Sequence, residues 1–187
     1  VSKAAIRQKV CKINPKKSRI NGDMTVIDIE TTGLSHSKDY IIEIGALKIK
    51  DDNILDEFQT FIKIPVSISP PITKMTGIKD SDLQEKGVEL TVALKELIDF
   101  VQKDVILCHH AAFDLSFLKS SCKRASLPIL NNQCIDTLVI ARQKLKNLQS
   151  HTLESVAEYF SMDISCCHRA IKDCYLTYGI YKKLKEI

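Results

Sequence analysis

The chain has 187 residues, 44% hydrophobic and 27% charged, with a formal net charge of +4, which is ordinary for one soluble globular domain with a substantial core. Seven basic residues (Lys3, Arg7, Lys9, Lys12, Lys16, Lys17, Arg19) stand against Asp23 alone in residues 1–23, so 20 basic face 22 acidic residues over 24–187, a net of −2. The body is therefore no polybasic nucleic-acid binder, and a nucleic-acid partner would have to be gripped locally.

Residues 1–23, punctuated by Asn14-Pro15 and Asn21-Gly22, read as a basic tail or linker ahead of a domain spanning 24–187. A nonspecific phosphate contact and an organellar targeting segment are the alternatives for it. The chain opens on Val1 rather than Met, as an excised piece of a longer protein would. Three extended segments follow, at 24–30, about 40–50 and about 54–63, rich in strand formers. Asp51-Asp52-Asn53 joins the last two as a hairpin turn, so the sheet is expected to begin as an antiparallel meander. A loop with Pro65, Pro70 and Pro71 leads through Ile72 to Ile78, and the capping-box spacing of Ser81 and Gln84 predicts a short helix opening there. Leu90, Ala93, Leu94, Leu97, Ile98 and Val101 recur at helical spacing. A buried strand over 104–109 runs into a helix from Ala111 to Leu118, and a short strand at 134–137 runs into a helix from Leu138. Helices over 152–160 and 170–184 close the chain, which makes an α/β sandwich with a mixed sheet.

No apolar run is long enough to cross a membrane, and no signal-peptide core is present. The seven cysteines (Cys11, Cys108, Cys122, Cys134, Cys166, Cys167, Cys174) form no CxxC pair, which fits a reducing cytoplasm better than a structural zinc site or a disulfide framework.

Asp28 and Glu30 lie two apart in an apolar segment, so on a strand they share one face. Two buried carboxylates side by side repel each other and lose hydration, which calls for a cation such as a divalent metal. The bland alternative places both on the solvated face of an edge strand. Thr31-Thr32-Gly33 then turns the backbone, with Gly33 free to adopt positive φ. Further acids and histidines fall where strands end and helices begin: His109, His110 and Asp114, then Asp136, then His168 and Asp173. In one helix His168 and Asp173 would point about 140° apart. With His168 in the preceding loop and Asp173 in an early turn, both can face one cleft. A loop histidine beside metals suits a general base; taken alone it reads as an exposed loop residue. Asp136 reads better as the cap of the helix at Thr137 than as a ligand.

Taken together, Asp28-Ile-Glu30-Thr-Thr-Gly33, His109-His-Ala-Ala-Phe-Asp114 and His168-Arg-Ala-Ile-Lys-Asp173 resemble, in order, the three motifs of the DnaQ-like (DEDDh) 3′→5′ exonucleases, which include the proofreading epsilon subunit of bacterial DNA polymerase III. The resemblance covers about 24–187 and implies a ribonuclease-H-like fold whose five-stranded mixed sheet has the first strand's acids at its centre. It implies that Asp28, Glu30, Asp114 and Asp173 hold two Mg²⁺ or Mn²⁺ ions, Asp28 bridging, with His168 as general base. It places Thr31, Thr32, Gly33 and Leu34 around the 3′-terminal sugar and Met75 and Thr76 beside the terminal base. Phe113 and His110 fall among its substrate contacts. The implied product is a nucleoside 5′-monophosphate, and the implied partners are a single-stranded DNA 3′ end and a DNA polymerase catalytic subunit. An RNA-trimming exoribonuclease and a non-catalytic nucleic-acid-binding module are the competing readings. One departure stands out: His110 occupies the place of the family's usual Asn. The segment 1–23 and the stop straight after the last helix, without epsilon's polymerase-holding tail, are two more.

Overall fold

The computed structural model describes residues 23–165 and 167–187. The expected basic tail, apart from Asp23, lies outside the described residues. β1 (Met24–Thr31), β2 (Ile41–Lys50) and β3 (Asn53–Phe61) form the antiparallel meander, turning at Asp51 and Asp52, which both take positive φ. β4 (Val105–Cys108) and β5 (Cys134–Asp136) then add in parallel on the other side of β1, giving the order β3-β2-β1-β4-β5. The first strand is thus the central one, as expected.

The alternation of β1 sorts its side chains onto two faces. Ile27 and Ile29 enter the larger core with Leu94 and Leu97 of α3 (Leu90–Val101) and Phe117 and Leu118 of α4 (Ala111–Arg124). Val26 faces the other way and packs with Leu107 and with Ile171, Cys174 and Tyr178 of α7 (Ala170–Glu186). Each of these fully buried apolar side chains contributes roughly 1.5–3 kcal/mol by leaving water. α5 (Thr137–Lys144) and α6 (Leu153–Tyr159) pack against the outer side of α7 through Ala141, Val156, Leu176 and Ile180.

Two helical details differ from expectation. The stretch expected as loop before Gly77 is a helix, α1 (Pro70–Thr76), with proline in its first turn and Gly77 at φ 72° ending it. Proline fits a helix start because its missing N–H has no partner there, and glycine fits the left-handed stop. The following helix, α2 (Asp80–Lys86), starts two residues earlier than Ser81 would allow as a cap. Its Ncap is Lys79, whose N–H donates to Asp82 Oδ2 at 3.1 Å, so Ser81 lies inside the helix. No helix among the described residues is long and apolar enough to cross a membrane.

Candidate active site

Asp28 and Glu30 share the α7-facing side of β1, at the end of the strand where pairing becomes irregular: the β1–β2 ladder shifts register between Glu30 and Thr31. α7 brings Asp173 to the same place from its first turn, while His168 stays outside the helix, ahead of its Ncap Arg169. One ligand oxygen from each of Asp28, Glu30 and Asp173 lies within 4.8 Å of the others. Asp114 is buried in the first turn of α4, and its charge acts on Asp28. Pairing of β1 with β4 runs from Met24 only to Val26, and beyond it the free Ile29 N–H meets the Asp114 carboxyl.

The electrostatics follow from burial without a cation. Burial raises Asp28 well above the carboxylate range, and the charges of Asp114, Asp173, Glu30 and Glu43 raise it further. Burial, then Asp173 and Glu43, push Glu30 up to about 8 against the pull of Arg169. Burial lifts Asp173 to about 7 although the His168 N–H opposes it. Asp114 is raised by burial, with the N–H groups of Ile29 and Asp114 itself opposing. Asp173 Oδ2 accepts the His168 N–H at 3.0 Å, but Oδ1 is buried and has no hydrogen-bond partner among the described residues. A buried carboxylate oxygen without a partner, on an acid whose carboxylate meets those of Asp28 and Glu30, is what a hard, oxygen-seeking divalent ion would satisfy, so this donor set fits Mg²⁺ or Mn²⁺.

His168 takes φ 66°, and its ring is part-exposed, with Nε2 3.6 Å from Glu154 Oε1. Glu154 opens α6; the sequence marks it only as an acid in a helix's first turn, and that gave no reason to place it here.

The loop after β1 is built around Asp39, which accepts the Ser35 N–H at 2.8 Å and the Thr32 hydroxyl at 3.3 Å. Thr32 Oγ1 in turn accepts the Tyr40 N–H, and the buried Thr31 hydroxyl donates to Gly33 O. Gly33 does not take the positive φ expected of it; it is needed because a Cβ there would stand 2.6 Å from Asp39 Oδ2. Leu34 projects from the loop at 86% exposure, and His36 fastens the loop to α4 by a 2.9 Å bond to Ser120 Oγ.

Met75 is exposed on α1, near its end. Thr76 is not available beside it: it is buried, and its hydroxyl donates to Ile72 O and accepts the Ile78 N–H. The Thr76 hydroxyl is thus committed to the end of α1, while the Met75 side chain stays exposed.

The second motif splits its two histidines. The strand ends at Cys108; His109 turns inward, held by Thr137 Oγ1 at 2.8 Å and His151 O at 2.9 Å. His110 is exposed, takes φ 72° as Ncap of α4, and stacks its ring over half-buried Phe113 at 6.3 Å. Asp136 is a cap, and a double one. It accepts the N–H groups of His110 and Ala111 as well as that of Leu138, which fixes the starts of α4 and α5 together.

A central-strand acid pair, completed by acids from two helix starts on a five-stranded mixed sheet, defines a nuclease type of site. A family model described as exonuclease, of the RNase T group, matches residues 25–181, and the chain belongs to that family as a DnaQ-like exonuclease domain. The DNA polymerase III PolC-type of Caldanaerobacter subterraneus subsp. tengcongensis is 38% identical over 170 residues, 91% of this chain and 12% of that protein. The corresponding protein of Clostridium perfringens is 35% identical over 178 residues, 93% of this chain and again 12% of the relative. The chain thus spans about one eighth of the length of these relatives. Among solved structures, zinc-bound E. coli exonuclease I with single-stranded DNA matches at TM-score 0.81 and 19% identity, over 89% of this chain and 41% of that one. The same enzyme with a dA16 oligonucleotide matches at TM-score 0.79 and 19% identity over the same shares. These likenesses show the ribonuclease-H-like fold.

Proposed function

We propose that residues 24–187 are a divalent-metal-dependent 3′→5′ exonuclease domain that releases nucleoside 5′-monophosphates from single-stranded or frayed DNA 3′ ends and proofreads for a DNA polymerase. The observation that carries this reading is the convergence of Asp28, Glu30 and Asp173, with the buried Asp173 Oδ1 left without a hydrogen-bond partner among the described residues. The polymerase and DNA assignments draw support from the PolC-type relatives and the DNA-bound exonuclease I.

Asp28, Glu30, Asp114 and Asp173 would hold two Mg²⁺ or Mn²⁺ ions. Bound there, the ions supply Lewis-acid activation of water and neutralise charge on the phosphate. His168 takes the proton of the attacking water on its part-exposed ring, and Glu154 faces the imidazolium that results. Leu34, Met75 and the His110–Phe113 pair offer apolar faces to the terminal nucleotides, and the polar loop 31–33 faces the sugar. Incubating the purified chain with end-labelled single-stranded DNA and the matched RNA in Mn²⁺ tests this. Stepwise shortening of DNA from the 3′ end with release of 5′-monophosphates is expected; internal cuts, shortening from the 5′ end, RNA preference or no cleavage would each defeat it.

The departure at His110 gives a second expectation. His110→Asn keeps a residue that tolerates the left-handed backbone and replaces the ring that stacks on Phe113 by an amide. Because His110 is exposed at the rim and its N–H, not its ring, bonds Asp136, the exchange should alter KM or the DNA/RNA ratio modestly and leave kcat nearly unchanged. Steady-state kinetics on both substrates reads this, and a collapse of kcat at constant KM would move His110 into the chemistry.

A further inference from the structure

β2 places, beside each acid of β1, a residue that receives α7. In the antiparallel ladder Glu43 lies directly opposite Glu30, and Gly45 directly opposite Asp28. At Gly45 a Cβ would stand 2.4 Å from the Ala170 carbonyl carbon and 2.5 Å from Ile171 N, so only glycine lets the first turn of α7 lie flat on the strand. Glu43 is wholly buried and fully partnered. Its Oε1 accepts Arg169 Nη2 at 2.8 Å and Gln59 Nε2 at 2.6 Å, and its Oε2 accepts Arg169 Nε at 3.2 Å and the Ala170 N–H at 3.1 Å. The guanidinium also covers the Phe61 ring at 5.3 Å. Arg169 is the Ncap of α7, between His168 and the helical turn that carries Asp173.

Like charges oppose this arrangement. Asp173 lies with a carboxylate oxygen within 4.8 Å of those of Asp28 and Glu30, and wherever these acids are ionised without a bound cation their repulsion would push the start of α7 away from the sheet. A two-point fork on a buried carboxylate, with a backbone N–H on the same oxygen pair, resists that displacement in position and in angle.

We propose that Glu43 and Arg169, seated by Gly45, form a positioning clamp that holds the His168–Asp173 segment against Asp28 and Glu30, so that the ligand set is assembled before any ion arrives. The part of this that concerns ions rests on the metal-dependent reading above; the part that concerns the segment does not. Neither residue touches the reacting atoms.

Arg169→Met removes the fork at a side chain that is 38% exposed, so the fold is expected to survive, while Glu43→Gln keeps an acceptor oxygen without the charge. In either variant the amides of residues 168–173 should exchange with solvent faster while those of β1 and β4 keep their protection. Mn²⁺ affinity by calorimetry should fall roughly 10–100-fold, the usual consequence of losing a group that orients a ligand. Turnover should drop with little change in KM, and Arg169→Lys should recover only part, because one ammonium cannot make both bonds. Exchange at 168–173 and Mn²⁺ affinity both equal to the unmodified protein in Arg169→Met would overturn the clamp. An unmodified protein that binds no Mn²⁺ would instead defeat the nuclease reading, and the exchange measurement would still decide the clamp.

Discussion

Replacing His168 by Ala should lower turnover by roughly 10²–10⁴-fold, the scale of a lost general base, while leaving Mn²⁺ affinity close to that of the unmodified protein. The separation of the two effects follows from how His168 is bonded. Its backbone N–H donates to Asp173 Oδ2 at 3.0 Å, and alanine retains that bond. Its ring reaches Glu154 and no acid of the ligand group, so deleting it takes away a proton acceptor without disturbing a ligand. The left-handed backbone at φ 66° suits alanine less well than histidine, so the glycine variant is the needed companion. His168→Gly serves as a control that relieves the strain and keeps the N–H. Single-turnover rates with saturating Mn²⁺, set beside calorimetric titration, measure both effects. Full activity in the alanine variant would show that the proton goes elsewhere.

Removing divalent ions should make the protein lose stability as the pH rises, and adding them should reverse the trend. Glu30 moves from the ordinary 4.5 to about 8 and Asp173 from 3.8 to about 7, with Asp28 and Asp114 raised as well. A carboxyl with a raised folded pKa binds its proton more tightly folded than unfolded. Its stabilising share is complete below about pH 4 and is lost as the pH climbs through the folded values near 7 and 8. At about 1.4 kcal/mol per pKa unit, the swing from Glu30 and Asp173 amounts to several kcal/mol. Ions compete with those protons, so their stabilisation grows over the same range. At a hundred times Kd each site adds about 2.7 kcal/mol. Melting curves at pH 5.5 and pH 8, with chelator and with millimolar Mn²⁺, should diverge strongly at pH 8 and little at pH 5.5. Coincident curves at both pH values would count against a shared ion site.

Much of the architecture is legible in the sequence because it rests on patterns that survive without tertiary context. The β-branched run around Asp28 and Glu30 marks a buried central strand, and the heptad-like spacing of Leu90 to Val101 marks α3. Asp136 reads as a cap because a carboxylate before a helix start needs no distant partner to be useful, though its second duty at α4 depends on β5 lying beside β4. α1 escapes a periodicity reading, since seven residues give barely two turns; its proline start and glycine stop are the signals that find it. Gly33 is misread for a related reason: a glycine suggests positive φ locally, whereas here the constraint is the carboxylate of Asp39 folding back from six residues on. Glu43 carries a usable signal, an acid inside the otherwise apolar Ile41 to Ile44 run that must find a partner. That its partner is Arg169 is a tertiary fact, because 126 residues separate the two and only the sheet order brings them together.

The chain order of the acids also bears on how such a domain behaves while it is being made. Asp28 and Glu30 come from its first strand, whereas Asp173 comes from its last helix and joins them only when that helix lies on β1 and β2. At about 5–20 residues per second of synthesis, the ribosome needs on the order of ten seconds to travel from one to the other. Throughout that interval the growing polypeptide lacks one of the three acids that meet in the folded domain. The topology acts as a safety catch: the acid group is complete only once the final helix has docked on the sheet.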